Sequence, residues 1–383
     1  MQRASESASR QVSEKLRVLI AGGGTGGHVI PALAIARELR DAYEADVRFV
    51  GTARGLETRL VPEAGFKLEL VRSGQLKNVS LATRARTLLD LPLGVLECLR
   101  ILRSFRPQVV VGVGGYASGP GMLAAILLRV PTLAYEPNAV PGMTNRWLGR
   151  WVSAAAVNFA QTAKYFRNAE VTGVPVRPEI FALAPRPVVG TELRLLVTAG
   201  SQGARIFNEA MPKIAVELLS AVPGLTIVHQ AGARHAEATR ANYAANGADT
   251  ARWRVEAFLE DMPQQYGAAD LVLARSGSTV AELCAAGRAS LLVPFAAAAD
   301  DHQRKNAEVL VQAGAAAMLL ERDATPATLL EGLRGLLRNP EQRAEMAEKA
   351  RGLARAGALE RITGIVVRLA QGDGSRPEGS SSS

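Results

Sequence analysis

Two glycine-rich loops, one in each half of the chain, constrain the fold more than any other feature. The first reads Ala21-Gly22-Gly23-Gly24-Thr25-Gly26-Gly27-His28 and the second Ala199-Gly200-Ser201-Gln202-Gly203-Ala204-Arg205. Each follows a short apolar run, Leu16-Arg17-Val18-Leu19-Ile20 or Leu193-Arg194-Leu195-Leu196-Val197, and each opens a stretch of helical apolar periodicity. A strand, a glycine turn and a helix in that order let backbone N–H groups approach an anion at the helix N-terminus. Two such units predict two doubly wound α/β domains facing one charged ligand.

The rest of the chain agrees with that reading. Apolar runs at 16–21, 46–51, 67–72, 108–113, 131–135, 153–157 and 169–172, then at 193–199, 225–230, 252–257, 270–274, 290–294 and 315–320, alternate with helical patterns. That alternation predicts parallel sheets. Val109–Pro131 and Leu271–Pro294 echo one another as strand, small-residue loop, alanine-rich helix and strand. The prolines Pro175, Pro178, Pro185 and Pro187 suit a stiff connection. The expected division is a disordered tail over 1–15, a first domain over 16–177, a linker over 178–190, a second domain over 191–370 and a disordered tail over 371–383. A chain of 383 residues is long enough for both domains.

Lys+Arg 45 against Asp+Glu 36 leave a net charge of +9, compatible with nucleic acid, anionic lipid or a phosphorylated substrate. Cys98 and Cys284 stand far apart and read as buried structural thiols of a reducing compartment. No secretory signal is visible in the polar residues 1–14. The uncharged stretch Val109–Leu128 is broken by Gly112-Val113-Gly114-Gly115-Tyr116-Ala117-Ser118-Gly119-Pro120-Gly121, which reads as strand, loop and helix rather than a membrane span.

Several loops carry candidate chemistry. Gly22, Gly24 and Gly27 satisfy a dinucleotide fingerprint. The second strand, however, ends Phe49-Val50-Gly51-Thr52, without the carboxylate that would hold a ribose. No Gly-Lys-Ser/Thr follows, so a P-loop fails too. A phosphate-cradling loop with His28 at the helix start remains. His28 is either a general base or a helix-entry residue bonded to backbone. Tyr116 sits in a glycine loop at a strand end, either in a ligand crevice or in a tight packing turn. In Arg275-Ser276-Gly277-Ser278-Thr279-Val280-Ala281-Glu282, small residues free helix N–H groups for a diphosphate. Glu282 there either accepts two ribose hydroxyls or only complements the helix dipole. Asp300-Asp301-His302-Gln303-Arg304-Lys305-Asn306 reads sugar hydroxyls or is a solvated helix start. The chain has no Asp-x-Asp and no His/Cys cluster with metal-ligand spacing, so a metal-dependent diphosphate site is disfavoured and no metal or cofactor is expected.

Gly-Gly-Thr-Gly-Gly-His at 23–28, Gly-Gly-Tyr-x-Ser-Gly-Pro at 114–120 and Gly-Ser-Gln-Gly-Ala-Arg at 200–205 together resemble the MurG family, over about Leu16 to Leu369. These are UDP-N-acetylglucosamine–lipid-linked muramoyl-pentapeptide N-acetylglucosaminyltransferases. The resemblance implies the GT-B fold, two Rossmann-like domains with an interdomain cleft. It implies that UDP-GlcNAc sits mainly on the C-terminal domain. Ser201 and Gln202 would line the diphosphate with Arg177 beside it, and the backbone of Leu259 would hold uracil. Ser278, Thr279 and Glu282 would contact phosphate and ribose, and Gln303 would read the sugar. Across the cleft, Thr25, Gly26, Gly27 and Asn138 would complete the donor site. The acceptor diphosphate would lie by His28, Gly114, Gly115 and Tyr116. Four features depart from the family pattern: Pro137 in Glu136-Pro137-Asn138, one residue fewer between Arg275-Ser276-Gly277 and Glu282, His302-Gln303 in place of two glutamines, and Val174.

The implied reaction inverts the anomeric carbon in one in-line displacement, with His28 as candidate base. Helix N–H groups, Arg177 and a glutamine would stabilise departing UDP. The implied partners are the sugar nucleotide, the undecaprenyl-linked muramoyl-pentapeptide, an anionic membrane surface, and cell-wall synthesis and division proteins, with no nucleic acid. The implied location is peripheral, on the cytoplasmic face of the plasma membrane. Arg72, Lys77, Arg84, Arg86, Arg100, Arg103 and Arg106 interleave with Leu76, Val79, Leu81, Leu88, Leu89, Leu91, Leu93, Val95 and Leu96. That pattern suits a basic amphipathic surface on anionic lipid, with Trp147 and Trp151 as interfacial anchors; the alternative is a buried helix with a solvated basic face. Three other readings stay open. They are a different sugar-nucleotide enzyme, such as a UDP-GlcNAc 2-epimerase or a diacylglycerol glycosyltransferase, a non-catalytic UDP-sugar-binding module at the membrane, and a nicotinamide dehydrogenase weakened by the missing acid.

Overall fold

The computed structural model describes residues 15–73, 81–186 and 192–372. The expected tails at 1–14 and 373–383, and residues 187–190 of the expected linker, lie outside them. So do residues 74–80 and the side chains of 81–89, and with them Leu76, Lys77, Val79, Leu81, Arg84, Arg86, Leu88 and Leu89 of the expected basic surface.

Among the described residues the first unit is built on a seven-stranded sheet. Its strands are β1 (Arg17–Gly22), β2 (Asp46–Gly51), β3 (Lys67–Leu70), β4 (Val109–Gly114), β5 (Thr132–Glu136), β6 (Ala154–Val157) and β7 (Ala169–Val171). The second unit has a six-stranded sheet of β8 (Leu193–Thr198), β9 (Leu225–Gln230), β10 (Trp253–Glu256), β11 (Leu271–Ala274), β12 (Ser290–Leu292) and β13 (Ala317–Met318). Every pairing is parallel. The orders are β3-β2-β1-β4-β5-β6-β7 and β10-β9-β8-β11-β12-β13, one winding used twice. Each expected strand is present within a few residues of its expected bounds. Parallel strands are covered on both faces, so they read as unbroken apolar runs, and Val109, Val110 and Val111 are fully buried.

Alternation along the strands divides the first core into two layers. Val18, Ile20, Val109 and Val111 pack with Ile35 and Leu39 of helix Gly26–Tyr43. Leu19, Ala21 and Val110 face Cys98, Leu102 and Met122 on the other side. In the second unit Leu195 and Val197 meet Phe207, Met211 and Leu333. Each fully buried aliphatic side chain contributes about 1.5–3 kcal/mol. Both cysteines are free and buried, and desolvation pushes each thiol up to about 12, with Glu97 adding to the shift at Cys98.

The chain crosses between units more often than its proline pattern suggests. The first unit comprises 15–136, 143–172 and 359–372, and the second 137–142 and 173–358. The boundary expected after 177 thus falls at Thr172–Gly173. Helix Ala358–Ala370, expected with the second domain, buries Ile362, Ile365 and Val366 in the first core. Arg361 donates to Thr172 O at 2.7 Å, and Arg368 pairs with Glu170 at 2.6 Å. The described part of the expected linker is a fixed part of the second unit. Arg288 and Arg351 donate to the carbonyls of Ala184 and Leu183, and Arg186 pairs with Asp270 at 3.0 Å.

Strand order reverses between β1 and β4 in one sheet and between β8 and β11 in the other. Ligands of open α/β sheets bind outside the carboxyl ends of strands at such switch points. The four candidate loops follow β1, β4, β8 and β11.

Candidate active site

In the first unit the loops after β1 and β4 lean on each other through glycine. The register slips by one residue between Ala21 and Gly22, which sets Gly22 beside Gly114. Gly22, Gly24, Gly114 and Gly115 have φ of 156°, 94°, 91° and 80°. Gly23 N–H donates to Gly114 O at 3.3 Å. A Cβ on Gly115 would strike the Gly23 carbonyl. One on Gly114 would lie 2.9 Å from Cδ2 and Nε2 of His28, so glycine there makes room for the imidazole. Helix Gly26–Tyr43 begins with Thr25 as its N-cap, and its first backbone bonds run from His28 and Val29 to Thr25 O. The N–H groups of Gly26 and Gly27 precede those bonds and face outward from the helix start. Tyr116 is half-exposed, its carbonyl held by Ser73 Oγ at 2.6 Å. His28, Gly26, Gly27, Gly114, Gly115 and Tyr116 therefore belong to one loop cluster.

A carboxylate that sequence reasoning passed over lies beneath this cluster. Glu57, 1% exposed, accepts from Gly24 N–H at 2.7 Å and from Thr52 N–H and Oγ at 3.0 Å each. It opens helix Glu57–Glu63, where the helix dipole favours its charge. The missing acid of the second strand is thus present a few residues later, turned inward onto the loop rather than outward to a ribose. Three glycines at 51, 55 and 23 around one acid were the available signal.

In the second unit the loop after β8 turns through Gly200 and Gly203, with φ of 73° and 67°. Gly203 and Gly232 touch the neighbouring backbones at Ala231 and Gln202 so closely that neither admits a Cβ. Gln230, the last residue of β9, is buried and bridges two loops. Its Nε2 donates to Gly200 O at 2.7 Å and its Oε1 accepts from Leu259 N–H at 2.9 Å. Ser201 and Gln202 are exposed on the upper side of this loop. The Leu259 N–H is thus engaged by the end of β9.

The loop after β11 is fixed from below. Buried Arg275 donates to Val293 O at 3.0 Å, pairs with Glu321, and stands over the rings of Phe207 and Phe295. Ser278 is exposed as N-cap of helix Thr279–Ala286, and its hydroxyl makes no capping bond. Glu282, in that helix's first turn, accepts from Tyr266 OH at 3.0 Å and has Arg177 at 3.9 Å. Desolvation raises the Glu282 pKa, opposed by the Tyr266 hydrogen bond and the Arg177 charge. Gln303 accepts from Phe295 N–H at 3.0 Å, with its Nε2 beside Gly277.

Asn306, read with Asp300–Lys305 as a sugar contact or a solvated helix start, is instead almost fully buried and joins this loop to residues 137–142. It accepts from Ala139 N–H at 2.9 Å and donates to Ser276 O at 3.1 Å and Asn138 Oδ1 at 3.2 Å. Asn138, expected across the cleft with the first domain's loops, therefore belongs to the second unit, because Asn306 captures its segment. At the start of helix His302–Gln312, Arg304 pairs with Asp301 and Glu308. Those charges satisfy one another, and Lys305 also pairs with Glu308 at 2.9 Å. Among the described residues no three His, Cys, Asp or Glu side chains gather as metal ligands, and no helix is long and apolar enough to cross a membrane.

Residues 18–157 match the N-terminal domain of glycosyltransferase family 28, and residues 194–362 match its C-terminal domain. The fold and loops are those of a family 28 glycosyltransferase, with the two parallel-sheet domains of GT-B architecture. A UDP-N-acetylglucosamine–N-acetylmuramyl-(pentapeptide) pyrophosphoryl-undecaprenol N-acetylglucosamine transferase of Anaeromyxobacter sp. is 44% identical, covering 95% of this chain and 96% of its own. The transferase of the same name from Syntrophus aciditrophicus is 42% identical over 91% and 97%. The crystal structure of Acinetobacter baumannii MurG aligns with a TM-score of 0.75 and 33% identity, covering 92% of this chain and 99% of that one. The chain belongs to the MurG family. A UDP-N-acetylglucosamine 2-epimerase structure, with a TM-score of 0.65 at 15% identity, shares the fold alone.

Proposed function

We propose that this enzyme transfers N-acetylglucosamine from UDP-GlcNAc to the 4-hydroxyl of undecaprenyl-diphospho-MurNAc-pentapeptide, with inversion, in peptidoglycan synthesis. The observation that carries this is 44% identity to a transferase of that name along 95% of the chain. In this reading the second unit takes the donor. Glu282 accepts the ribose hydroxyls, Leu259 O the uracil, and Ser201, Gln202, Ser278, Thr279 and Arg177 the diphosphate, while Gln303 and Asn138 reach the sugar. The first unit takes the acceptor diphosphate by His28 and the loop of Gly114, Gly115 and Tyr116, while Gly26 and Gly27 help to complete the donor site. Thr25 shares the approach to the donor, and His28 removes the proton of the attacking hydroxyl. Arg177 and the helix N–H groups stabilise UDP as it leaves.

The test is transfer of labelled GlcNAc from UDP-GlcNAc to a short-chain lipid-linked muramoyl-pentapeptide with EDTA present. The expected product is the lipid-linked disaccharide, at an undiminished rate. Release of N-acetylmannosamine without acceptor, or UDP-GlcNAc binding without transfer, overturns the proposal.

The same reading places the enzyme peripherally on the cytoplasmic face of the plasma membrane, among cell-wall synthesis and division proteins. Trp147 and Trp151 are 69% and 65% exposed, and Leu93 and Leu96 stand out from helix Leu81–Phe105 beside exposed Arg100 and Arg103. Aromatic and basic side chains of this kind suit an anionic interface. Sedimentation with anionic liposomes is expected to weaken as salt rises; salt-independent absence of binding removes this surface from the proposal.

A further inference from the structure

We infer that Glu57 is the positioning residue of the first glycine loop, setting the direction of the backbone N–H groups and imidazole that meet the acceptor; this rests on the acceptor reading of that loop. The carboxylate is 1% exposed, and its three accepted bonds come from Gly24 N–H, Thr52 N–H and Thr52 Oγ. A buried carboxylate is costly unless bonded, and here the bonds end on the loop itself. Gly24 is held at both backbone groups by one short segment, because its carbonyl also accepts from Leu56 N–H at 3.0 Å. The cavity is shaped to the carboxylate: a Cβ on Gly23 or Gly55 would collide with it, and one on Gly51 would stand 2.7 Å from its Cγ. Buried and fully engaged, Glu57 is no ligand for a sugar or phosphate. It acts through Gly24, two residues before Gly26.

An amide at this position keeps one oxygen and turns an NH2 group against either Gly24 N–H or the two Thr52 donors. Glu57→Gln therefore releases part of the loop. Gly55→Ala pushes a methyl group into the carboxylate without changing charge, and Thr52→Val removes one donor as the mildest case. Acceptor KM and kcat, with the short-chain lipid-linked muramoyl-pentapeptide, and the Kd for UDP alone would be measured for wild type, these three variants and His28→Ala. Glu57→Gln and Gly55→Ala are expected to raise acceptor KM about 10- to 100-fold, the range carried by a lost hydrogen bond to a charged group. Thr52→Val is expected to follow in the same direction with a smaller rise, and all three to keep the UDP Kd of wild type. A fall in kcat matched by an equal fall in the number of UDP-binding sites, at unchanged acceptor KM, signals loss of folded molecules and overturns the inference, whereas a fall in kcat with every UDP site intact is misalignment of the imidazole and supports it. A lower KM also overturns it, since the carboxylate's charge would then matter more than its bonds. If His28→Ala is inactive while all three variants keep the wild-type KM, Glu57 loses this role and the loop reading stands. If wild type itself makes no product, the acceptor reading fails and takes the inference with it.

Discussion

The glycine loops after β1 and after β8 occupy the same place in two sheets of the same winding, yet they are held by opposite means. Beneath the first is Glu57, a carboxylate from the segment after β2. Beneath the second is Gln230, a neutral amide at the end of β9. One support ends the neighbouring strand and the other opens the helix that follows it, so topology supplies the position and the side chain decides the charge. A unit negative charge about 6 Å from another costs about 3 kcal/mol at an effective dielectric of 20. In the proposed reading, a diphosphate on the second loop would meet no such charge from below, whereas one on the first loop would meet Glu57. In that reading the second loop holds its diphosphate without an opposing charge, and the first trades some affinity for the acceptor diphosphate against a fixed geometry.

The sharpest test of that division is His28→Ala. Loss of a general base usually costs about 10²–10⁴ in rate. The fall is expected in kcat, with UDP affinity in calorimetry unchanged; weakened UDP binding would break the separation of roles. Next in size is Gln230→Glu, which removes the donor to Gly200 O and sets a charge beneath the diphosphate loop. UDP is expected to bind about 10- to 100-fold more weakly. Gln230→Ala, which lacks the charge, should fall between that variant and wild type, and equal losses would show that the charge plays no part.

Glu282 gives a pH signature about tenfold in size. In the proposed reading two ribose hydroxyls need the ionised carboxylate, and burial raises its pKa above the ordinary value. UDP-GlcNAc affinity should therefore fall on acidification sooner than for an ordinary glutamate. Glu282→Gln should bind about tenfold more weakly at neutral pH and lose that acid limb. The smallest effect belongs to Trp147→Ala and Trp151→Ala. These exposed side chains should change thermal stability by no more than about 0.5 kcal/mol while lowering liposome binding.

The sheets were legible because parallel strands are apolar on both faces and end at glycine. Val109-Val110-Val111 and Leu195-Leu196-Val197 announce themselves without reference to any partner. The residues that hold the loops were not, since a lone Glu57, Gln230 or Asn306 carries no period. Each acquires meaning only from the backbone groups it reaches, some far along the chain: Asn306 meets Ala139, and Glu57 meets Gly24. Asn138 was placed with the wrong unit for the same reason. Helix Ala358–Ala370 shows a plain amphipathic pattern at Ile362, Ile365 and Val366, but an apolar stripe does not say which sheet it covers.

That helix has a consequence for synthesis. The first sheet is translated early, but Ile362, Ile365 and Val366 leave the ribosome only after the whole second sheet. Until then the nascent first unit carries an open apolar stripe beside Val18 and Val109. Its completion is deferred until the second sheet has been made, so the two halves mature together rather than in succession.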